Sequence, residues 1–330
     1  MEIFHITRQI DTVGFRRPAY IFSGLLTLIS VLSLIFQGLN FGIDFAGGAL
    51  IQVKFPQAVE VSAVRHSLDA LHLGEVMIQE FGTGSDELII RVPQKEETEA
   101  AAAKGDVQEG GAHQKLAVKI METLKPLAGG KGEVELRRVE FVGPQVGKEL
   151  TQQGILAVFY ALIAILIYVG LRFEYRFALG AVLALFHDVI ITIGFFSVTQ
   201  RDFNLTVVAA ILTIIGYSIN DTIVVFDRVR EESRRYRNKT LYFILNESVT
   251  QTLSRTIITS GTVVLVLIAL LLFGGEVIFD FSLALFIGVT FGTYSSVFIA
   301  SHLVYELHGG SNPFSHEVAE SGGATSGELS

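Results

Sequence analysis

Apolar residues along this chain fall in long blocks, not in the short alternations of a soluble globule. A hydrocarbon core takes about 20 helical residues to cross. Six stretches are long and apolar enough: 18–38, 150–171, 177–199, 204–226, 255–275 and 279–305. The first, AYIFSGLLTLISVLSLIFQGL, carries no charge. Its apolar run is longer than the core of a secretion signal, and no small-x-small cleavage pattern closes it. It therefore predicts a membrane span preceded by an Arg16-Arg17-Pro18 stop. Spacing is uneven: one lone span, a long loop over 39–149, then five spans over 150–305.

Basic residues in the short loops set the expected orientation. Arg8, Arg16 and Arg17 precede the first span, Arg172 and Arg176 join spans two and three, and Arg228, Arg230, Arg234, Arg235, Arg237 and Lys239 join spans four and five. The other short loops hold only Arg201. Both termini are expected in the cytoplasm and the long loop outside, since long loops translocate largely regardless of charge.

Inside that loop the periodicity changes. Strand patterns at 48–55, 75–81, 86–92 and 133–142 interleave with helical patterns near 59–72 and 113–127, giving the order βαββαβ of a ferredoxin-like α+β head domain. Alternation at Leu88, Ile90 and Val92 predicts a sheet with one buried face. The stretch 93–112 is acidic, Ala- and Gly-rich and aperiodic, and reads as a flexible insertion. Residues 306–330 read as a disordered cytoplasmic tail, with 1–17 as a cytoplasmic N-terminus and 18–38 as the first span. The segment 240–253 reads as a short interfacial amphipathic helix, and the basic run 228–239 as a contact for anionic lipid headgroups.

Composition narrows the function. The chain is 50% hydrophobic and 18% charged, which excludes a disordered protein. With no cysteine there is no disulfide framework, thiolate metal site or cysteine nucleophile. A net charge of -8 argues against nucleic acid as a partner. HExxH, P-loop, GxSxG and dinucleotide signatures are missing, so no enzyme, cofactor or metal is expected. Work by this chain would be driven by an ion gradient or a partner.

Ionisable residues inside spans point to function by default. Asp221 lies in the fourth span, flanked by Ser218, Asn220 and Thr222. Two roles fit it: loading and releasing a proton, or a packing hydrogen bond to a neighbouring helix. His187 and Asp188 lie in the middle of the third span. Asp188 shares a face with Ala181, Ala184 and Thr192, which turns it into the bundle. The pair fits a proton relay or a structural contact that orients helices. Arg255 opens the fifth span and either snorkels to the interface or reaches Asp221 as a switchable ion pair. Gly288 and Gly292 form a GxxxG helix-packing face in the sixth span, partner unspecified.

These features occur with a set of motifs in fixed order: FGIDFAGGALIQV (41–53), VGPQVGKEL (142–150), the His187-Asp188 pair, GYSINDTIVVFDRVRE (216–231) and SRTIITSG (254–261). Together they resemble the SecD/SecF protein-export membrane proteins of the resistance-nodulation-division (RND) superfamily, over nearly the whole chain. The first motif is similar to that family's Gly-x-Asp-Phe-x-Gly-Gly signature, here Gly42, Asp44, Phe45, Gly47 and Gly48. Ala46, Ala49 and Gln52 depart from it where the family often has Thr or Glu.

The resemblance implies six transmembrane helices as one RND-like half, with SecD as the other half. It implies association with the SecYEG channel, with YajC and, indirectly, with the SecA motor, in the bacterial cytoplasmic membrane. It further implies that the proton motive force promotes late-stage preprotein translocation, with Asp221 and Arg255 in proton coupling and Asn220, His187 and Asp188 close to it. A hinge or a static turn fits the glycines where the lone span meets the head domain. Two other readings stand beside this one: an RND-type half-transporter for small molecules or lipids, and a passive scaffold whose buried charges only pack helices. No rich apolar cleft is visible in the head-domain sequence, which weighs against the transporter.

Overall fold

The computed structural model describes residues 9–73, 76–81, 86–92, 109–130 and 132–312. In chain order the helices are α1 (Arg16–Phe36), α2 (Ile43–Ala46), α3 (Val61–Asp69), α4 (Glu109–Leu124), α5 (Pro144–Arg172), α6 (Tyr175–Thr199), α7 (Leu205–Arg235), α8 (Leu241–Phe273), α9 (Phe279–Ser295) and α10 (Ser301–Leu307). The strands are β1 (Asn40–Phe41), β2 (Gly48–Lys54), β3 (Met77–Phe81), β4 (Glu87–Val92), β5 (Glu135–Val142) and β6 (Asp202–Phe203). One π-helical turn, Ser296–Ala300, joins α9 to α10 without a break. Among the described residues, six helical segments are long and apolar enough to cross a membrane: those built on α1, α5, α6, α7, α8 and the α9–α10 run. The chain divides into two compact units, one of membrane helices and one comprising 41–155 together with 203–205.

In the membrane unit, α6 is the inner helix. It leaves Leu179, Leu183 and Phe186 exposed, a narrow lipid-facing stripe at helical spacing. Its other faces are covered: the small or polar Ala181, Ala184, Asp188 and Thr192 are buried, and so are the larger Phe177, Leu185, Ile191 and Phe196. Toward the bundle α1 turns a buried stripe of Ala19, Ser23, Ser30 and Ser33, the first two meeting Tyr294 of α9 and the last two α6, while Ile21, Leu25, Leu28 and Ile35 face outward. Lipid tails are as apolar as leucine, so close backbone approach and hydroxyl bonds hold such helices together. Ser33 and Ser197 meet hydroxyl to hydroxyl at 2.7 Å. A Cβ on Gly194 would stand 2.2 Å from Ser30. Gly288 and Gly292 find their partner within the chain: they pack on Ile214 and Ser218 of α7, one turn apart on that helix.

The expected interfacial helix at 240–253 is not a separate element. It forms the first turns of α8, a continuous helix of 33 residues, about 50 Å long at 1.5 Å per residue. Only about 30 Å of that can lie in hydrocarbon. The overhanging end is covered rather than amphipathic, with Leu241, Ile244, Leu245 and Val249 fully buried. The N-terminal segment docks onto it. Asn246 Oδ1 accepts from the Thr12 hydroxyl and from the Val13 N–H, both at 2.9 Å. The Ile10 N–H donates to Thr250 at 2.9 Å.

Of the tail expected over 306–330, residues 306–312 are structured, and 313–330 lie outside the described residues. The helix α10 runs to Leu307, and Gly309 (φ +58°) and Gly310 (φ +75°) then turn the chain through left-handed backbone. That turn brings the Asn312 amide to the carbonyls of Ser233, Tyr236 and Arg237, at 3.3, 3.2 and 3.4 Å. Carbonyls at a helix C-terminus lack intrahelical donors, so this contact fixes the chain.

The second unit holds an antiparallel sheet in the order β3-β4-β2-β5, the arrangement that two interleaved βαβ units produce. Ala49, Ile51 and Val53 of β2 and Leu88, Ile90 and Val92 of β4 face one core with Val64 and Leu68 of α3 and Ala117, Ile120 and Leu124 of α4. Each large side chain buried there contributes about 1.5–3 kcal/mol. The strand β4 is more enclosed than its alternation suggests: Ile89 and Arg91, on the opposite face, are 9% and 7% exposed. It is a central strand, shielded by β2 and β3 on either side. Of the expected insertion 93–112, residues 93–108 lie outside the described residues, and 109–112 already belong to α4.

Two outcomes follow from this packing. Gly288→Ala puts a methyl group 2.2 Å from the buried Ile214 side chain and should lose about 1–3 kcal/mol, read as a lower Tm in detergent. Gly170→Ala on α5, with nothing within 4 Å, should not lower it. The second concerns Asp11, whose carboxyl is held below the usual range by hydrogen bonds from the Tyr242 hydroxyl, the Gly14 N–H and the Asn246 amide. A depressed folded value means the clasp contributes fully above about pH 4, the unfolded value, and is lost as pH falls through the lower folded one. Limited proteolysis of the N-terminal segment should accelerate on acidification in the wild type and not in Asp11→Asn.

Candidate functional site

Four helices bring a cluster of polar side chains into the membrane unit. The helix α6 supplies His187 and Asp188, α7 supplies Ser218 and Asp221, α8 supplies Thr256, and α9 with the π-turn supplies Ser295 and Ser296. Asp188 is fully enclosed and Asp221 is 7% exposed. A carboxyl group in such surroundings requires hydrogen-bond partners from the protein, and each one has two hydroxyl donors. Asp188 Oδ2 accepts from Ser218 and from Ser295, both at 2.6 Å. Its Oδ1 lies 3.0 Å from His187 Nδ1. His187 Nε2 is buried with no hydrogen-bond partner among the described residues. Asp221 accepts from Thr256 on Oδ1 and from Ser296 on Oδ2, both at 2.9 Å.

One helical turn away lies a second hydroxyl layer contributed by three of these helices, α7, α8 and α9. Thr293 donates to Ser260 at 2.7 Å and Tyr217 to Ser260 at 3.3 Å. The layers stack because Tyr217 and Asp221, and likewise Thr256 and Ser260, are four residues apart on their helices.

Of the two roles open to Arg255, the ion pair with Asp221 is not formed. Thr256 takes the position beside the carboxylate, and Arg255, the preceding residue, is rotated about 100° away to an exposed face. Asn220 is likewise exposed, one residue from Asp221. Thr256 carried a signal in the sequence: Thr252, Thr256 and Ser260 form a period-four polar stripe in an apolar helix, and all three are buried. Ser295 and Ser296 are legible only as small residues beyond a GxxxG face.

Arg255 and Asn220 belong to a surface of their own. On α7 the exposed residues Ala209, Thr213, Gly216 and Asn220 recur every three or four positions, as do Gln251, Arg255, Thr259 and Thr262 on α8. The two helices run antiparallel, tied through Asp221–Thr256 and Tyr217–Ser260, so both stripes open to the same side. A strip of Arg, Asn, Thr and Gly at membrane depth is a poor surface for lipid tails and a good one for another helix.

The Gly42–Gly48 motif is organised in the second unit. The short helix α2 carries Asp44, whose Oδ2 accepts from the backbone N–H of Leu205 at 2.9 Å. A carboxylate at that position supplies an acceptor for a free N–H at the start of α7. The Gly42 N–H donates to the Phe203 carbonyl at 2.9 Å. Phe45 packs with Phe41 and Phe203, ring centroids 6.0 and 6.1 Å apart. Gly47 (φ +71°) and Gly48 (φ +120°) take backbone conformations that favour glycine. A Cβ on Gly147, from the VGPQVGKEL motif, would stand 2.9 Å from the Phe45 carbonyl. The two motifs that bracket the head domain are therefore packed backbone to backbone.

Comparison with known proteins follows this layout. Residues 123–310 match the family described as protein export membrane protein SecD/SecF, C-terminal, and residues 32–59 match the SecD/SecF GG motif. The protein translocase subunit SecF of Magnetococcus marinus is 53% identical over 311 residues, covering 94% of this chain and 96% of that protein. The Vibrio alginolyticus SecF is 45% identical over 309 residues, covering 92% and 93%. Among solved structures, the crystal structure of SecDF, a translocon-associated membrane protein from Thermus thermophilus, superposes with a TM-score of 0.78 at 32% identity. The match covers 93% of this chain and 40% of that longer one.

Thr256→Val removes one hydroxyl donor to the Asp221 carboxylate while keeping the side-chain volume. A hydrogen bond to a charged group is worth about 1.5–3 kcal/mol; a fall in Tm of detergent-solubilised protein is expected, and an unchanged Tm would show that Thr256 does not support Asp221.

Proposed function

This chain belongs to the SecD/SecF family of protein-export membrane proteins, as a SecF, and on that premise we propose that it is the proton-driven partner of a SecD half in the Sec translocase. In this reading it promotes late-stage movement of a preprotein across the bacterial cytoplasmic membrane. The observation that carries the reading is the pair of enclosed carboxylates, Asp188 and Asp221, on neighbouring helices and bound through consecutive serines of a third. Buried carboxyl groups at membrane depth are costly, and a proton resolves that cost at the moment it arrives.

The energy suffices for a bias. One charge crossing 100 mV is worth about 2.3 kcal/mol, roughly a fiftyfold shift in a two-state equilibrium. That is too little to unfold a stable domain. It is enough to rectify the motion of a chain already unfolded and being pushed by SecA through SecYEG. The proton enters at Asp221, and His187 with Asp188 forms the adjoining relay.

Arg255 and Asn220, on the exposed polar face of α7 and α8, act across the contact with the SecD half rather than within this chain. That face supports a helical partner because it is too polar for lipid. The distribution of arginine supports cytoplasmic termini and an extracytoplasmic head domain, and YajC joins the assembly as an accessory. Gly47 and Gly48, where α2 meets β2, form the turn about which the head domain moves.

The test is export of a secreted reporter into vesicles that carry the SecD half with wild-type chain or with Asp221→Asn. ATP is supplied and the proton gradient is on or off. Wild type should gain from the gradient, and Asp221→Asn should gain nothing. Equal stimulation of both would place proton coupling elsewhere and leave this chain a scaffold.

A further inference from the structure

Ser295 and Ser296 are consecutive, yet their hydroxyls serve carboxylates on two different helices. Adjacent residues on a helix point about 100° apart. Ser295 therefore reaches Asp188 on α6 at 2.6 Å while Ser296 reaches Asp221 on α7 at 2.9 Å. Each hydroxyl also has a second acceptor on its own helix. Ser295 lies 3.1 Å from the Gly292 carbonyl and Ser296 lies 3.0 Å from the Thr293 carbonyl. A serine hydroxyl has one proton to give, so at any moment each serine favours either its carboxylate or its backbone carbonyl.

The position of the pair along the helix gives that choice a consequence. The π-turn Ser296–Ala300 begins at the second serine. Single π-turns interrupt the regular hydrogen-bond ladder and frequently mark functional sites. Serine bonds to the carbonyl of the preceding turn bend helices. Both residues are fully buried, so water does not stand in for a lost partner.

We propose that Ser295 and Ser296 form a paired hydroxyl switch that links the charge states of Asp188 and Asp221 and passes each change to the π-turn. This rests on the proton-driven reading of the same site. A proton arriving on Asp221 Oδ2 converts that acceptor into a donor. The Ser296 hydroxyl then turns to the Thr293 carbonyl, the turn tightens, and Ser295 is displaced relative to Asp188. The reverse step returns the proton from Asp221 and restores the Ser296–Asp221 bond. No bond other than O–H is made or broken. The titratable groups bonded to the pair are Asp188 on α6 and Asp221 on α7; His187 lies behind Asp188, Tyr217 one turn along α7 bonds Ser260, and Arg255 on α8 faces away. Ser295 and Ser296 act through the carboxylates and are positioning residues.

Infrared difference spectroscopy of the complex reconstituted with its SecD half, recorded across a pH jump, tests the link. The protonated-carboxyl band lost in Asp221→Asn identifies Asp221. Asp188→Asn should move that band in a chain with both serines, and should no longer move it in a Ser295→Ala background. Ser218→Ala removes the other hydroxyl on Asp188 without touching the π-turn and should leave the link in place. In the vesicle assay, Ser296→Ala should reduce the gradient-dependent part of export about tenfold, the loss of one hydrogen bond to a charged group, and Ser296→Thr should recover it.

The switch is overturned if Asp221→Asn removes no band, if Asp188→Asn leaves the Asp221 band in place, or if it moves that band equally without Ser295. Its failure is distinct from failure of the proton-driven reading. When Asp221→Asn abolishes the response to the gradient but the bands are independent, the switch alone is wrong. When the bands are linked but Asp221→Asn responds like wild type, the switch stands and the proton drive is wrong.

Discussion

A carboxyl group held at membrane depth must find its hydrogen-bond partners in the protein, because the surrounding hydrocarbon has none. The membrane unit is arranged around that requirement. Asp188 and Asp221 need hydroxyls, so α7, α8 and α9 each turn serine or threonine toward them. Those helices come close enough to deliver a hydroxyl only because their facing residues are small. Gly292 sits against Ser218, with Asp188 Oδ2 only 3.6 Å from the point its Cβ would occupy. The same glycine thus sets the spacing between α7 and α9 and leaves room for the carboxylate between them.

Close packing and polar satisfaction are therefore one design in this bundle. Ser30 and Ser33 of α1 follow the same logic against Gly194 and Ser197 of α6. The uncovered face of α6 carries only bulky apolar residues at its middle, Leu179, Leu183 and Phe186, and suits lipid. The exposed stripes on α7 and α8 break this rule, with Arg255 in place of a leucine. An exposed guanidinium in a span is costly against lipid tails unless it snorkels to the interface or is covered by protein.

Beyond the bundle, the Gly42–Gly48 motif gathers several contacts in a short length of backbone. Asp44 meets the Leu205 N–H, Gly42 meets the Phe203 carbonyl, and Gly147 abuts Phe45. Each contact joins residues far apart in sequence. The motif glycines are required by backbone geometry at Gly47 and Gly48, and by closeness at Gly42, where an added Cβ would lie 3.2 Å from Asn204.

The sequence alone determined the spans, the split βαββαβ order of the head and the inward placement of Asp188, because hydrophobic period and small-residue stripes are local properties of the chain. It marked Asp221 as a group that had to be enclosed. It did not determine what enclosed it. Arg255 and Thr256 are neighbours in sequence, and only the rotation of α8 decided that threonine faces the carboxylate while arginine faces outward. The burial of 240–253 within one long helix depended on α7, α10 and the N-terminal segment covering its face, and the fold of 306–312 on carbonyls more than seventy residues away. The joining of two carboxylates by Ser295 and Ser296 likewise needed three helices in register. Partners of this kind are set by how helices rotate and pack against one another, which a pattern along one chain does not encode.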